Sequence, residues 1–294
     1  MRLGVNVPNF GPGTSPDILR RWALTAEGLG FSLLMISDHV AVTPDVAGQY
    51  PAPFYEPFTT LAWLAGQTRD IQLGTTVLIV PYRHPLLMAR MAANLSDLSG
   101  GRLVLGVGVG WAEQEFAALG VPFRQRGRLT DEYLLAMRAA WQDSDDYRSG
   151  SIPIWVGGNS DAALRRAARL GDAWHPLRFT PEWIEAAAGR LRSAATGPGR
   201  PVPAFAPRIA LRLTATPVTG AERLAGHGTL EQIAGDLEQL RLLGAEVAIL
   251  DPFNGDLDEI RHPERAWRAL ATVASLRTGE NPTSRPNGAA GDII

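Results

Sequence analysis

Three short stretches carry residue types that can do chemistry. In "SDHV", Asp38 and His39 stand directly after an apolar run. A histidine there can give or take a proton near neutral pH; taken alone, a single histidine is more often a structural hydrogen-bonder. In "GVGVGW", Gly106, Gly108 and Gly110 alternate with valines and lead to Trp111 and Gln114. Small residues at a strand end let a flat ligand reach the backbone, with Trp111 and Gln114 flanking it, and the same glycines equally well relieve crowding in a tapering barrel. In "WVGGNSDAALRRAARL", Gly157 and Gly158 precede Asn159 and Ser160, either of which can cap the helix that follows. Unsatisfied amides at a helix start attract phosphate, and glycines let it come close. A plain capped turn has the same look, and the glycine pair tilts the balance toward phosphate.

Other chemistries are excluded by residue type or spacing. The dinucleotide fingerprint needs a third glycine where Trp111 stands, and needs the first strand of a βαβ unit rather than a later one. The chain has no cysteine, so disulfides, thiolate catalysis and cysteine-held metals are ruled out. Its histidines (39, 84, 175, 227 and 262) show no metal-ligand spacing, so no metal is expected. No nucleophile elbow or Walker A sequence is present, and the acidic "DSDDYRSG" (143–150) lacks the glycine and glutamate of a calcium loop. A formal net charge of −2 without charge blocks gives no footprint for nucleic acid or an anionic membrane. The start "MRLGVNVPNFG" lacks a secretory h-region, and the longest uncharged run, 71–82, is too short to span a bilayer. A cytoplasmic protein acting on a small molecule is expected.

The elements that must position these residues follow from periodicity. Strand-like runs at 2–8, 31–37, 71–80, 102–110, 152–158, 172–176, 208–215 and 246–252 alternate with helical patterns. Ser15-Pro16-Asp17 starts the first helix and Gly30 ends it. Helices are expected at 57–68, 85–98, 130–141, 160–170, 181–194, 229–243 and 262–276. Eight βα units in 294 residues point to an α/β fold of the (β/α)8 TIM barrel type, with a doubly wound open sheet as runner-up. Residues 1–276 are read as one domain and 277–294, rich in Gly, Pro and Asn, as a flexible tail.

"SDHV", "GTTVLIVPYRHP", "LSGGRLVLGVGVGW", "RGRLTDEYLLAMRAAW", "IPIWVGG" and "GDAWHP" occur in this order. Together they make the chain resemble the luciferase-like flavin/deazaflavin superfamily over residues 1–276, and especially the branch using coenzyme F420. The resemblance decides for the barrel. It implies that His39 sits over a cofactor ring and assists proton transfer, with Asp38 against the pyrimidine side. It implies a non-proline cis peptide at Thr76-Val77 as a shelf behind the ring, with Thr75 beside it. Gly108, Trp111 and Gln114 match positions near the cofactor, and Gly157, Gly158 and Asn159 match the phosphate turn. Phe54, Tyr55, Trp174 and His175 are the expected substrate-pocket residues, and a homodimer is implied.

The resemblance therefore implies an F420-dependent oxidoreductase that moves a hydride between deazaflavin and a small organic substrate. The alternatives are an FMN-dependent monooxygenase using reduced flavin and oxygen, and a non-catalytic cofactor-binding barrel. Arg165 and Arg166 beside the phosphate turn would favour the extra charge of the F420 tail. Three departures stand out. The connection between the fourth helix and fifth strand (142–152) is shortened, and in relatives this segment often helps cover the active site. Trp111 stands where some relatives place an acidic glutamate, with Glu113 close in sequence. All 28 basic residues are arginine, which disfavours a sugar phosphate held by lysines.

Overall fold

A computed structural model describes residues 1–142, 152–194, 202–253, 255 and 257–276. β1 (Arg2–Asn6) leads to α1 (Pro16–Gly28), and β2 (Leu33–Ile36) to α2 (Pro44–Ala47) and α3 (Pro57–Ala65). β3 (Gln72–Thr75), continued by β4 (Leu78–Ile79), precedes α4 (Pro85–Leu98), and β5 (Leu103–Gly108) precedes α5 (Glu113–Ala118) and α6 (Arg126–Gln142). β6 (Ile154–Gly157) and α7 (Asp161–Leu170) are followed by β7 (Ala173–His175) and α8 (Pro181–Ala194). β8 (Ala204–Phe205) and β9 (Arg208–Ala210) are successive halves of one interrupted strand. The short β10 (Arg212–Leu213) and β11 (His227–Gly228) come next, then α9 (Leu230–Leu242), β12 (Val247–Asp251), α10 (Leu257–Arg261) and α11 (Pro263–Ser275). No helix among the described residues is long and apolar enough to cross a membrane.

All strand pairs are parallel, and neighbours run β7, β6, β5, β3, β2, β1, β12. The 204–210 segment closes the ring: β8 pairs with β7, β9 pairs with β12, and Leu177 bridges to Arg208. The result is the eight-stranded (β/α)8 barrel. Helix starts follow local chemistry. Ser15 accepts from the Ile18 amide with Pro16 opening α1, and Thr229 and Gln232 form a reciprocal capping box at α9. The seventh strand departs from expectation. It starts at 204 rather than 208, and Arg212–Leu213 leave the barrel to pair with His227–Gly228. Pro203 and Pro207, which lack an N–H, interrupt this stretch and hide it from a strand pattern. The tail at 277–294 and the shortened connection, apart from its end residues, lie outside the described residues.

Side-chain alternation divides the interior into two levels. Leu33, Met35, Val104, Trp155, Ala173, Ala206, Val247 and Ile249 form one buried cluster inside the barrel, and a larger cluster lies between strands and helices. Glycines make room for these side chains. A Cβ on Gly4 would lie 2.5 Å from Ile249 Cδ1, and one on Gly74 3.1 Å from Met35 Cε. Two residues further along the same strands the chemistry changes. Asn6, Thr76, His175, Arg208 and Asp251 replace the apolar set, all buried. This polar level lies at the C-terminal ends of the strands, the end at which barrels of this kind build their sites.

Candidate active site

A cleft of about 260 Å³ opens above that polar level, lined by residues that include His39, Tyr50, Thr76, Val77, Trp111 and Arg208. Its floor is a continuous hydrogen-bonded chain. The Asn6 amide donates to Asp251 Oδ1 (2.8 Å), and the Arg208 guanidinium donates to Asp251 Oδ2 from Nε (3.0 Å) and Nη2 (2.6 Å). Arg208 Nη1 then reaches both the carbonyl and the hydroxyl of Thr76 (3.1 Å each). His175 ends the chain, with Nδ1 on the Ala206 carbonyl and Nε2 2.9 Å from the Thr76 hydroxyl. A carbonyl only accepts, so Nδ1 carries the proton and Thr76 donates to Nε2. Burial pushes the His175 pKa down to about 4, with the Arg208 charge adding to it against the opposing Ala206 bond, so this ring is neutral.

The wall is set by the bend between β3 and β4, where the Thr76-Val77 peptide is cis. This is the bond expected from the resemblance. The Val77 side chain leans onto two bare strand ends: a Cβ on Gly108 would lie 2.5 Å from its Cγ2, and one on Gly157 2.7 Å from its Cγ1. A Cβ on Gly106 would land on the Thr75 carbonyl oxygen, while Gly110 combines φ +79° with contacts to Ile79 and Phe116. The glycines of "GVGVG" thus serve crowding, and what crowds them is the bend that forms the wall. Arg83 fastens the bend to the end of β2. Its Nη1 and Nη2 bind the Asp38 carboxylate at 2.7 and 2.8 Å, and Asp38 also accepts from the Ile79 amide at 2.9 Å.

His39 is held from behind. Its Nδ1 lies 2.6 Å from Glu115 Oε2, which also accepts from the Tyr82 hydroxyl at 2.8 Å. Glu115 Oε1 accepts from the amides of Val40 (2.6 Å) and Ala41 (3.0 Å). Burial alone would raise the Glu115 pKa, but His39, Tyr82 and the Val40 amide outweigh it and hold the carboxyl below its ordinary range. Burial and the adjacent Glu115 push the Tyr82 phenol up, so it stays a donor. The His39 ring meets Tyr50 and Trp111, which line the cleft, with centroids at 4.8 and 5.8 Å, and Phe54 at 5.5 Å.

Of the residues expected at the site, His39, Thr76, Val77, Gly108, Trp111, Gly157, Gly158 and His175 line this cleft. Asp38 lines it too, and its two carboxylate oxygens are engaged by Arg83 and the Ile79 amide, which clamps the bend. Phe54 is not among the residues that line the cleft; it stacks on Phe10 (5.7 Å) and packs T-shaped on the His39 ring (5.5 Å). Five others of the expected residues lie away from the cleft lining. Thr75 donates to the Gly106 carbonyl within the sheet, and Gln114 is exposed, with its backbone N–H donating to Asp45. The Asn159 amide is paired both ways with the Leu177 backbone. Tyr55 faces an outer groove with Leu19 and Trp63. Trp174 is fully buried behind the cleft, against Phe205 and Trp183, and donates to the Gly158 carbonyl. Likewise Arg166 is tied to Asp131 and the Gly127 carbonyl, while Arg165 is exposed. Sequence reasoning missed Glu115, Tyr82, Arg83, Tyr50 and Arg208.

Comparison with known proteins adds the following. Residues 1–223 match the model of the luciferase-like monooxygenase family. An uncharacterised protein of Mycobacterium tuberculosis is 30% identical over 243 residues, 72% of this chain and 83% of that protein. A protein of Kineococcus radiotolerans named F420-dependent glucose-6-phosphate dehydrogenase is 29% identical over 196 residues, 59% of this chain and 56% of its own. Among solved structures, the oxygenating constituent of 3,6-diketocamphane monooxygenase from Pseudomonas putida, in complex with FMN, superposes with a TM-score of 0.74 at 17% identity, covering 93% of this chain and 96% of that one. The F420-dependent tetrahydromethanopterin reductase of Methanopyrus kandleri gives 0.70 at 16% identity, covering 93% and 97%. At such identities the two structures speak to the fold alone.

Proposed function

The chain belongs to the luciferase-like monooxygenase family, and from that premise we propose that it is an F420-dependent oxidoreductase acting on a small, uncharged organic substrate. The observation that carries this reading is the single cleft that unites His39, the bend at Thr76-Val77 and the Gly157-Gly158 turn into α7. These residues fit a flat ring with a phosphate-bearing tail. Gly108 and Gly157 leave the wall bare of side chains beside Val77. Gly158 turns with φ +109°, and Ser160 caps only the Ala163 amide, so the amides of Asp161 and Ala162 have no partner among the described residues.

When bound, the deazaflavin would supply hydride exchange at its central ring. The protein's part is to hold, orient and manage protons. His39 Nε2 takes the proton from a substrate hydroxyl as its carbon gives up hydride, or returns it in the reverse direction. Trp111 (44% exposed) and Tyr50 cover the cleft beside His39 and exclude water. Among the described residues, the only arginine lining the cleft, Arg208, is already held by Asp251, which leaves no free cation there for a phosphorylated substrate. That supports an uncharged substrate over the sugar phosphate named for the Kineococcus relative.

FMN-dependent monooxygenation is the second reading, and one observation favours it. Arg166, one of two cations that would attract a longer anionic tail, is engaged by Asp131. Titration of the protein with oxidised F420 and, separately, FMN, followed by ring fluorescence, tests the two. Tighter F420 binding supports hydride transfer, and the reverse moves the chain to the monooxygenases. His39→Ala is expected to keep cofactor binding while turnover falls by about 10²–10⁴-fold; unchanged turnover would remove His39 from the mechanism.

A further inference from the structure

We propose that Glu115 is a positioning residue that fixes the proton of His39 on Nδ1, so that Nε2 is the only ring nitrogen exchanging protons with the cleft. The proposal rests on reading the cleft as a proton-handling oxidoreductase site. Its evidence is the set of groups around one carboxylate. Glu115 is fully buried, and four groups converge on it. Val40 and Ala41 contribute backbone amides to Oε1, and amides only donate. His39 Nδ1 and the Tyr82 hydroxyl meet Oε2. Two acceptor oxygens, which an ionised carboxylate alone provides, satisfy the whole set.

With Oε2 accepting, His39 Nδ1 donates whether the ring is neutral or charged. Nε2 has no hydrogen-bond partner among the described residues, and its ring lines the cleft beside Tyr50 and Trp111. It is therefore free to take a proton when the ring is neutral and to give one when it is charged. Had the proton rested on Nε2 instead, the neutral ring could only donate into the cleft and could not serve as the base for a substrate hydroxyl.

Glu115→Gln, of nearly the same shape, tests this sharply because its head group has one acceptor and one donor. The backbone amides of Val40 and Ala41 cannot reverse, so they keep the glutamine oxygen. The side-chain NH2 then faces Nδ1, which must present its lone pair, and the proton moves to Nε2. The experiment is nitrogen-15 NMR of histidine-labelled protein without cofactor, whose ring-nitrogen shifts separate the two neutral forms from the charged one. The His39 signals are assigned by their loss in His39→Asn.

The wild type is expected to show the Nδ1–H form, Tyr82→Phe to retain it, and Glu115→Gln to show the Nε2–H form. Turnover in Glu115→Gln should fall by about 10²–10⁴-fold, the scale on which a wrongly placed imidazole proton acts, with cofactor binding kept. A wild-type ring protonated on Nε2 overturns the proposal even if the glutamine variant fails to fold. So does a glutamine variant that keeps Nδ1–H, or one that inverts the proton and turns over normally. The NMR measurement needs no cofactor, so failure of the F420 reading is seen separately, in the titration.

Discussion

Gly108→Ala, alone and in a Val77→Ala background, is the most direct test of why the cleft wall is bare. The added Cβ would lie 2.5 Å from Val77 Cγ2, about an ångström inside ordinary contact, and its next neighbour is Val77 Cβ at 3.5 Å. Overpacking of that kind costs about 1–3 kcal/mol, and for a chain of this size that lowers the melting temperature by about 2–4 °C per kcal/mol. Val77→Ala removes both methyls of a half-buried side chain, itself about 1 kcal/mol. In that background only the 3.5 Å contact remains, so Gly108→Ala should be close to neutral. The double-mutant cycle should therefore give a coupling energy of about 1–3 kcal/mol. Gly106→Ala is the control: its obstacle is the Thr75 backbone carbonyl, which Val77→Ala does not move, so its cost should persist in both backgrounds. Thermal and urea unfolding of the five variants measure all of this. Equal costs of Gly108→Ala with and without Val77 would refute the steric account.

The polar floor makes two further predictions. Asp251→Asn leaves the buried Arg208 guanidinium without its counterion and should destabilise the fold by about 3–5 kcal/mol, the usual cost of breaking a buried pair from one side; a loss under about 1 kcal/mol in urea unfolding would contradict it. His175 titrates at about 4 when folded against an ordinary 6.5, so the unfolded chain binds more protons between those values and stability rises with pH there. The contribution is complete above about pH 6.5 and is lost as pH falls toward 4, about 3 kcal/mol in all. His175→Asn should flatten that part of the stability–pH curve, and an unaltered slope would assign it to other groups.

The barrel was legible because strand and helix periods, caps and glycine stops repeat along the chain. The helix pattern at 85–98 and that at 181–194 match α4 and α8 end to end. One expectation at the site broke a rule that the sequence already carries. Trp174 and His175 are adjacent in a strand and must face opposite sides, so both could not line one cleft. His175 points inward and Trp174 toward the helices. The place of Tyr55 has no such signal, since loop 50–56 has no period and only the folded chain selects Tyr50. Glu115 was hidden for a different reason. It lies 76 residues from His39, inside an acidic segment whose neighbours Glu113 and Gln114 are exposed, and nothing local distinguishes the buried carboxylate from the solvated ones. Arg83 and Arg208 are legible only as partners of Asp38 and Asp251, and pairing across a barrel is a tertiary property.

The hydrogen-bonded floor has a consequence for how the barrel finds its own alignment. Side chains along a strand alternate faces, so sliding any strand by one residue exchanges inside for outside. At this level the exchange would bring Leu250 in place of Asp251, Ile209 in place of Arg208, or Trp174 in place of His175. Each slip would strand the displaced polar group among the helices while leaving its neighbours in the floor without a partner, a penalty paid on both faces at once. The chain of bonds from Asn6 to His175 is therefore a gauge of correct registration as well as a surface for a ligand. Substitutions within this chain of bonds would loosen the closure of the sheet, whereas the cleft residues outside it, Tyr50 and Trp111, can change without disturbing registration.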